Sequence, residues 1–359
     1  MSIEKLSIEA FVELSKTYPV LDVRSPGEYS HAHIPGAFNL PLFTDKERTI
    51  VGTAYKHEGR EKAIKIGLEY FGTRMVQMVE AVEQLTRLPA NGTSEATRRT
   101  VLVHCWRGGM RSAGVAWLLD LYGFKVCTLS GGYKVFRKWV LEQFEHSYCF
   151  KVIGGYTGSG KTEILNALQL NGDAIIDLEA LACHKGSAFG CLGQPPQPSQ
   201  EMFENKLALE LSKVSSRQPR VWIEDESQRI GDINIPGQLY KSKGSMPVYF
   251  IDVPFEERLQ HIINNYGKFD KQNLSNAIMR IKKRLGTLET KNAINYLLEG
   301  DMKNCFAVLL KYYDKWYSKS LLQTMENAHS NITRIDCTTV DTKNNAQLIL
   351  RTFENITAI

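Results

Sequence analysis

The sequence predicts an α/β protein built as two parallel-sheet domains in tandem, the second ending in a largely helical part. Three observations carry that reading. Short apolar runs alternate with helical patterns through the first third, as expected for strands covered on both faces by crossover helices. The pattern restarts around residues 145–150, where FKVIGGYTGSGKTEILNAL reads strand, glycine loop, helix. The length, 359 residues, is ample for two hydrophobic cores. The expected division is 1–145 and 146–359.

In the first domain PVLDVRS (19–25) is a short apolar run closed by a Pro-Gly turn signal. TVLVHC (100–105) is a second strand, followed by a Gly-containing loop and the helical pattern SAGVAWLLDLYG. VCTLSGG (126–132) is a third, ended by two glycines, and polar NGTSEATRR (91–99) reads as an exposed loop. In the second domain AIIDLEAL, VWIEDES and VYFIDVP are strand candidates. HKGSAFGCLGQPPQPSQ (184–200), rich in Gly, Pro, Gln and Ser, reads as a long loop. From about residue 256 the pattern is mostly helical.

Composition excludes several classes. With 43% apolar and 23% charged residues the chain is neither disordered, collagen-like nor coiled coil. No run approaches the roughly 18–20 apolar residues that span a bilayer, so no membrane partner is expected. The start, MSIEKLSIEA, carries charges where a signal peptide needs an apolar core. Seven cysteines without paired spacing point to reduced thiols and a cytoplasmic location. Cys127, Cys149, Cys183, Cys191, Cys305 and Cys337 lack zinc-ligand spacing, so no structural metal is expected. The net charge of +5 is a mild indication of an anionic partner. Positive charge concentrates between Arg258 and Lys319, with 12 basic and 5 acidic side chains.

Two loops carry chemistry. In VLVHCWRGGMRSAGVAWLL, Cys105 ends an apolar strand, and a loop with two glycines and two arginines leads into a helix. Such a loop can turn several backbone N–H groups toward one point, an anion site next to a nucleophile. Arg107 and Arg111 add charge. A free thiol of pKa ~8.5 is mostly protonated at neutral pH, and lowering that value by ~2 units makes it mostly thiolate. Cys105, Arg107 and Arg111 are therefore the candidate catalytic residues. The second loop, Gly155-Tyr-Thr-Gly-Ser-Gly160-Lys161-Thr162, satisfies GxxxxGK[ST] between the strand KVIG and the helix EILNALQL. Gly155, Gly158, Ser159, Gly160, Lys161 and Thr162 are its candidate phosphate-binding residues, with Thr162 a candidate Mg²⁺ ligand. Glu224, Asp225 and Glu226 in VWIEDES fit a Walker B-like strand end. The P-loop could hold ATP for a kinase step, or the diphosphate of another donor whose remainder fills an apolar pocket.

HCWRGGMRS fits the HCxxGxxR[ST] loop of cysteine-dependent phosphatases, but its surroundings resemble rhodanese domains. LDVRSPGEYSHAHIPGAFNLPL looks like their DVRxPxExxxxHIPGAxNxP signature, and FKVCTLSGGYKVFRKW like their closing segment. The active loop is one residue longer than is usual in rhodaneses, which is typical of the phosphatase branch. Asp22, Arg24, His33 and Pro35 of the signature are read as an ion pair and a turn. A rhodanese-like domain followed by a P-loop NTPase-like domain resembles the tRNA 2-selenouridine synthase family. GTAYKHEGREKAIKIGLEYF (52–71), GQPPQPSQEMFEN (193–205) and WIEDESQRIGDINIP (222–236) extend the resemblance from end to end.

That resemblance implies a transferase acting on the wobble 2-thiouridine in a tRNA anticodon loop. Its sulfur is first alkylated from geranyl diphosphate; selenophosphate then supplies selenium, giving 2-selenouridine. Gly155–Thr162 would grip geranyl diphosphate, with or without Mg²⁺, and Cys105 would serve the selenium step, by covalent capture or by positioning the donor. No tightly bound cofactor is implied; a selenophosphate-producing enzyme is a candidate partner. The alternatives are a rhodanese- or phosphatase-like cysteine enzyme fused to a small-molecule kinase, and a tRNA-binding or thiol-carrier protein with two vestigial sites, against which the intact Gly155–Thr162 loop and the Arg-flanked Cys105 argue. Arg280, Lys282, Lys283 and Arg284, close on a helical pattern, are candidate tRNA contacts. Tyr266, Phe269, Tyr296, Tyr312, Tyr313, Trp316 and Tyr317 are candidates either for stacking on bases or for the core. Gly59 and Gly67 could line a path to the sites or serve a plain loop and helix.

Overall fold

The computed structural model describes residues 3–87, 99–214, 220–327 and 332–357. Of the loop expected at 91–99, residues 91–98 lie outside the described residues. The chain divides into two units, Met1–Gln143 with Glu204–Lys206, and Phe144–Phe203 with Leu207–Ile359.

The first unit holds a five-stranded parallel sheet in the order Glu4–Leu6, Lys125–Leu129, Thr100–His104, Val20–Asp22, Phe38–Asn39. Thr100–His104 is central and buried along its whole length, which explains its unbroken apolar character. Val101, Val103 and Cys105 pack with Val115, Leu118 and Leu119 of the helix Met110–Tyr122 into one core. Three helices, Asp45–His57, Arg60–Gly72 and Met75–Arg87, fill the segment between the first and second predicted strands. Gly59 caps the second of them at φ 92°, and Gly67 is buried, where a Cβ would come within 3.3 Å of the Phe43 ring. The edge strands Glu4–Leu6 and Phe38–Asn39 were not expected; at three and two residues they are too short to show a period.

Asp22 and Arg24 form the expected ion pair. Arg24 Nη2 lies 2.6 Å from Asp22 Oδ2, donates to the Ala32 carbonyl at 2.8 Å, and its guanidinium stacks 3.8 Å from the Tyr133 ring centre. Both residues are essentially inaccessible, at 0% and 1% exposure. Burial alone would raise the Asp22 carboxyl, but neighbouring His104 and the bound Arg24 hold it below its ordinary value. Asp22→Asn leaves a buried guanidinium without its counter-charge and is expected to cost about 3–5 kcal/mol in urea unfolding. Because the folded-state pKa is depressed, the pair's contribution is present above the unfolded carboxylate's pKa. It is lost as pH falls through the lower folded value, so the deficit of the variant should shrink only in that acid range.

The second unit holds another five-stranded parallel sheet, ordered Ile332–Asp336, Val248–Asp252, Phe150–Gly155, Val221–Glu224, Ala174–Ile176. Its core joins Ile153, Ile164, Leu165, Trp222, Tyr249 and Ile251. Helices Phe255–Tyr266, Lys271–Leu285, Thr287–Glu299 and Met302–Asn327 build the helical part around a second core that includes Leu259, Ile278, Leu297 and Leu309. The mostly helical expectation after residue 256 missed Ile332–Asp336, an edge strand whose sequence, ITRID, shows no period-two pattern. Arg229–Ile230 and Ile233–Asn234 form a small antiparallel pair within the Gly-Asp turn segment. Among the described residues no helix is long and apolar enough to cross a membrane.

Candidate active site

Cys105 directly follows the central strand, where a parallel sheet delivers its loops to one edge. The chain then turns through Trp106–Gly109 into the helix Met110–Tyr122. Two glycines from the closing signature shape this loop. Gly132, at φ 62°, sits so close that a Cβ would lie 2.4 Å from the Cys105 carbonyl oxygen, and the next two residues donate to the Cys105 and Trp106 carbonyls at 2.8 and 3.0 Å. The Gly-Gly of the distant third strand is therefore a clamp on the cysteine loop.

Cys105 is 3% exposed, and its sulfur is 3.2 Å from the Ser112 hydroxyl. Burial pushes the thiol up, but the Ser112 hydroxyl and the backbone N–H groups of Ser112, Arg107 and Gly109 outweigh it, leaving the thiol below its ordinary value. The loop thus favours thiolate through amides and a hydroxyl rather than through an adjacent side-chain cation. Arg111 is held elsewhere: its Nη1 lies 2.8 Å from Glu28 Oε2. It reaches an anion over the loop only by exchanging that partner. Arg107 contributes its amide to the thiol while its side chain is exposed. Against the burial that would raise it, Arg111 keeps the Glu28 carboxyl below its usual range. Glu28 is thus an ionised carboxylate and no proton donor for phosphatase chemistry.

In the second unit the P-loop has its expected setting after Phe150–Gly155 and before the helix Lys161–Leu170. Gly158 (φ 83°) passes so near Ile262 that a Cβ would be 2.9 Å from its Cδ1. Lys161 Nζ donates to the Gly155 carbonyl at 3.2 Å, and Thr162 donates to Glu179 Oε2 at 2.9 Å. Among the described residues the buried Ser159 hydroxyl finds no hydrogen-bond partner, so the cradle holds an unused polar group. Tyr156 and Thr157 are braced by Arg258, which donates to the Thr157 carbonyl and makes a bidentate ion pair with Asp314, two hydrogen bonds of 2.8 Å.

The three acids of the strand end have three different fates. Asp225 accepts from Lys243 Nζ at 3.0 Å and from the Tyr317 hydroxyl at 2.9 Å. Burial raises it, but Lys243 and Tyr317 hold it below its ordinary value. Glu224 is fully buried, and one oxygen accepts the Glu179 N–H at 3.3 Å; the other makes no hydrogen bond within ordinary geometry among the described residues. Burial and the neighbouring Glu179 push its carboxyl well up. Glu226 is also raised by burial. Sequence reasoning missed Glu179, which burial and Glu226 push up to about 7. Its only signal was an acid shortly after a strand, in AIIDLEAL. Among the described residues no group of three or more His, Cys, Asp or Glu is arranged to hold a metal ion. The pair Thr162 and Glu179 is nonetheless suited to meet a cation that a phosphorylated ligand also ligates.

These groups open on a cavity of about 820 Å³. Thr157–Glu163, Glu179, Asp225 and Glu226 line one part; Phe189, Ile262, Tyr266, Phe306, Leu309, Leu310 and Tyr313 line another. Most aromatics considered as base platforms therefore lie in the core or this cavity. Tyr266, Phe269, Tyr296, Tyr312 and Tyr313 pack on the helical core, and Trp316 is 47% exposed. The basic cluster also divides. Arg284 lines the cavity, and Arg280 donates to Cys191 Sγ at 3.3 Å. Lys282 and Lys283 are exposed in the last turn of Lys271–Leu285, where cations also suit the helix dipole.

A cysteine held by a rhodanese-type loop and a P-loop bordering an apolar cavity define a two-domain group-transfer enzyme. Residues 7–138 match the rhodanese-like domain family, and residues 149–346 match the tRNA 2-selenouridine synthase AAA domain. The tRNA 2-selenouridine synthase of Bdellovibrio bacteriovorus is 36% identical over 74% of this chain and 69% of its own length. That of Psychromonas ingrahamii is 32% identical over 84% of this chain and 88% of its own. Others, including those of Cupriavidus pinatubonensis and Nitrosomonas europaea, are matched over 66% and 63% of their length, so the chain spans about two thirds of these relatives. A rhodanese-related protein from Thermoplasma volcanium is 19% identical with a TM-score of 0.22, covering 39% of this chain and 92% of that one. The chain belongs to the tRNA 2-selenouridine synthase family and is an enzyme of that type.

Proposed function

We propose that this enzyme converts 2-thiouridine in tRNA to 2-selenouridine in two transfers, the first at the P-loop and the second at Cys105. The observation that carries the first is the cavity, where phosphate-binding amides and Lys161 share one space with aromatic and aliphatic walls. That pairing suits a diphosphate bearing a hydrocarbon, here geranyl diphosphate. The thiouracil sulfur attacks the carbon that carries the diphosphate. A C–S bond forms, the C–O bond breaks with its electron pair leaving on diphosphate, and the ring N3 proton is released. Lys161, the loop amides and the Ser159 hydroxyl meet the charge that builds on the departing oxygens. With Mg²⁺ bound, Thr162 and Glu179 would hold it, and it would neutralise part of that charge.

Alkylation turns a poor thiolate leaving group into a thiol that can depart. In the second transfer selenophosphate supplies selenium to the pyrimidine C2, geranyl thiol leaves, and water cleaves the P–Se bond to release phosphate. The amide-lined Cys105 loop suits this phosphate-like donor. Exposed Lys282 and Lys283 suit tRNA phosphates. The test is donor omission: 2-thiouridine tRNA is incubated with enzyme and each donor alone or both, then digested and read by mass spectrometry. Geranyl diphosphate alone should give S-geranyl-2-thiouridine, and both donors 2-selenouridine. Selenouridine formed without any prenyl diphosphate would refute the alkylated intermediate.

A further inference from the structure

Within the P-loop cavity, the lining residues separate into a mouth and a closed side. Lys185, Lys241, Arg284 and Trp316 are exposed and border the opening. Phe189 and Phe306 line the same space yet are only 5% and 4% exposed, so they belong to its closed side. Both face the apolar core of the helical part, which gives them solid backing. A path toward them starts at the P-loop, where Gly158 touches Ile262. One helical turn on, about 6 Å along the axis, the same helix presents Tyr266. The Tyr266 ring centre is 6.2 Å from that of Phe189, and Phe189 is 6.4 Å from Phe306, both edge to face. The loop carrying Phe189 is fixed by a hydrogen bond from the Ala188 N–H to the Tyr313 oxygen at 3.3 Å.

We propose that Phe189 and Phe306 form the floor of a hydrocarbon subsite and limit the length of the prenyl chain that the enzyme transfers. This rests on the reading of the P-loop as a prenyl diphosphate site. An apolar chain gains by burial in proportion to the area it hides, so a pocket open at its far end would favour the longest chain available. A floor of two backed rings reverses that order once the chain reaches it, because core aromatics cannot yield without strain. The rings are thus specificity-determining residues that act by exclusion.

The experiment offers dimethylallyl, geranyl and farnesyl diphosphates to the wild type, Phe189→Ala, Phe306→Leu and Phe306→Trp enzymes, with 2-thiouridine tRNA as acceptor. Alkylated nucleosides are quantified by mass spectrometry. Inorganic diphosphate binding by calorimetry reports the P-loop in each variant. Phe189→Ala is expected to raise the farnesyl-to-geranyl ratio of kcat/KM about tenfold or more, and Phe306→Leu to move it the same way by less. Phe306→Trp should move preference toward dimethylallyl. An unchanged ranking in variants that still bind inorganic diphosphate would overturn the floor. Absence of alkylation by the wild type with every prenyl diphosphate would instead overturn the donor reading itself. Phe189→Ala and Phe306→Leu lie on different elements, so a folding failure in one leaves the other to decide.

Discussion

The Cys105→Ser enzyme is expected to leave tRNA carrying S-geranyl-2-thiouridine and no 2-selenouridine. The cysteine lies at the end of a buried strand, in a loop whose amides and Ser112 hydroxyl favour the thiolate. A serine hydroxyl fits the same space but stays protonated, so a loop arranged to stabilise an anion at that atom loses its purpose. Selenium incorporation should fall on the order of 10³-fold or more, as for removal of a reacting group. Alkylation, assigned to the P-loop unit, should continue. Selenophosphate binding by calorimetry, compared between the wild type and Cys105→Ser, tests whether the thiolate positions the donor: lost affinity in the variant assigns it that role, and equal affinity removes it from donor binding. Normal selenouridine yield from the variant would remove Cys105 from the reaction.

Lys161→Ala is expected to produce the converse defect. Lys161 donates to the Gly155 carbonyl at 3.2 Å, so its ammonium lies beside the first glycine of the loop. Its removal takes away the one side-chain cation of the P-loop motif, where the proposed transfer would build negative charge on the departing diphosphate. Loss of a single preorganised donor to a developing oxyanion costs on the order of 10²–10³-fold in rate. Geranylation should fall by that factor, measured as nucleoside formed per minute. When tRNA already bearing S-geranyl-2-thiouridine is supplied with selenophosphate, the same variant should form selenouridine at close to the wild-type rate. Equal loss of both steps would mean that the P-loop serves more than the alkyl donor.

The two loops were legible because each compresses its chemistry into a few consecutive residues between a strand and a helix. Gly158, Gly160 and Lys161 need no distant information to form a phosphate cradle. What surrounds them was not legible in the same way. Helical spacing places Tyr266, Phe306 and Tyr313 on particular faces, but it does not say whether a face meets RNA, a core or a cavity, and the structure places these three around a cavity. Arg111 was expected to serve the anion loop because it lies six residues beyond Cys105. Its ion pair with Glu28 spans 83 positions and leaves no local trace. The acids at 224–226 read alike in sequence, whereas Lys243 and Tyr317 single out Asp225 through contacts 18 and 92 residues away. The missed strand Ile332–Asp336 is an edge whose polar positions look like loop until its parallel partner Val248–Asp252 is known.

The hydroxyl of Tyr317 accepts the Gly155 N–H at 3.2 Å and donates to Asp225, so the first glycine of the P-loop is tied to a residue 162 positions downstream. For a chain emerging from the ribosome this has a temporal meaning. At about 5–20 residues per second, roughly ten to thirty seconds separate synthesis of the glycine from synthesis of the tyrosine that restrains it. During that interval the nascent polypeptide carries the phosphate-binding sequence without its bracing. The site is written early in translation and assembled late, so the proposed diphosphate capture would belong only to chains that have completed the helical region.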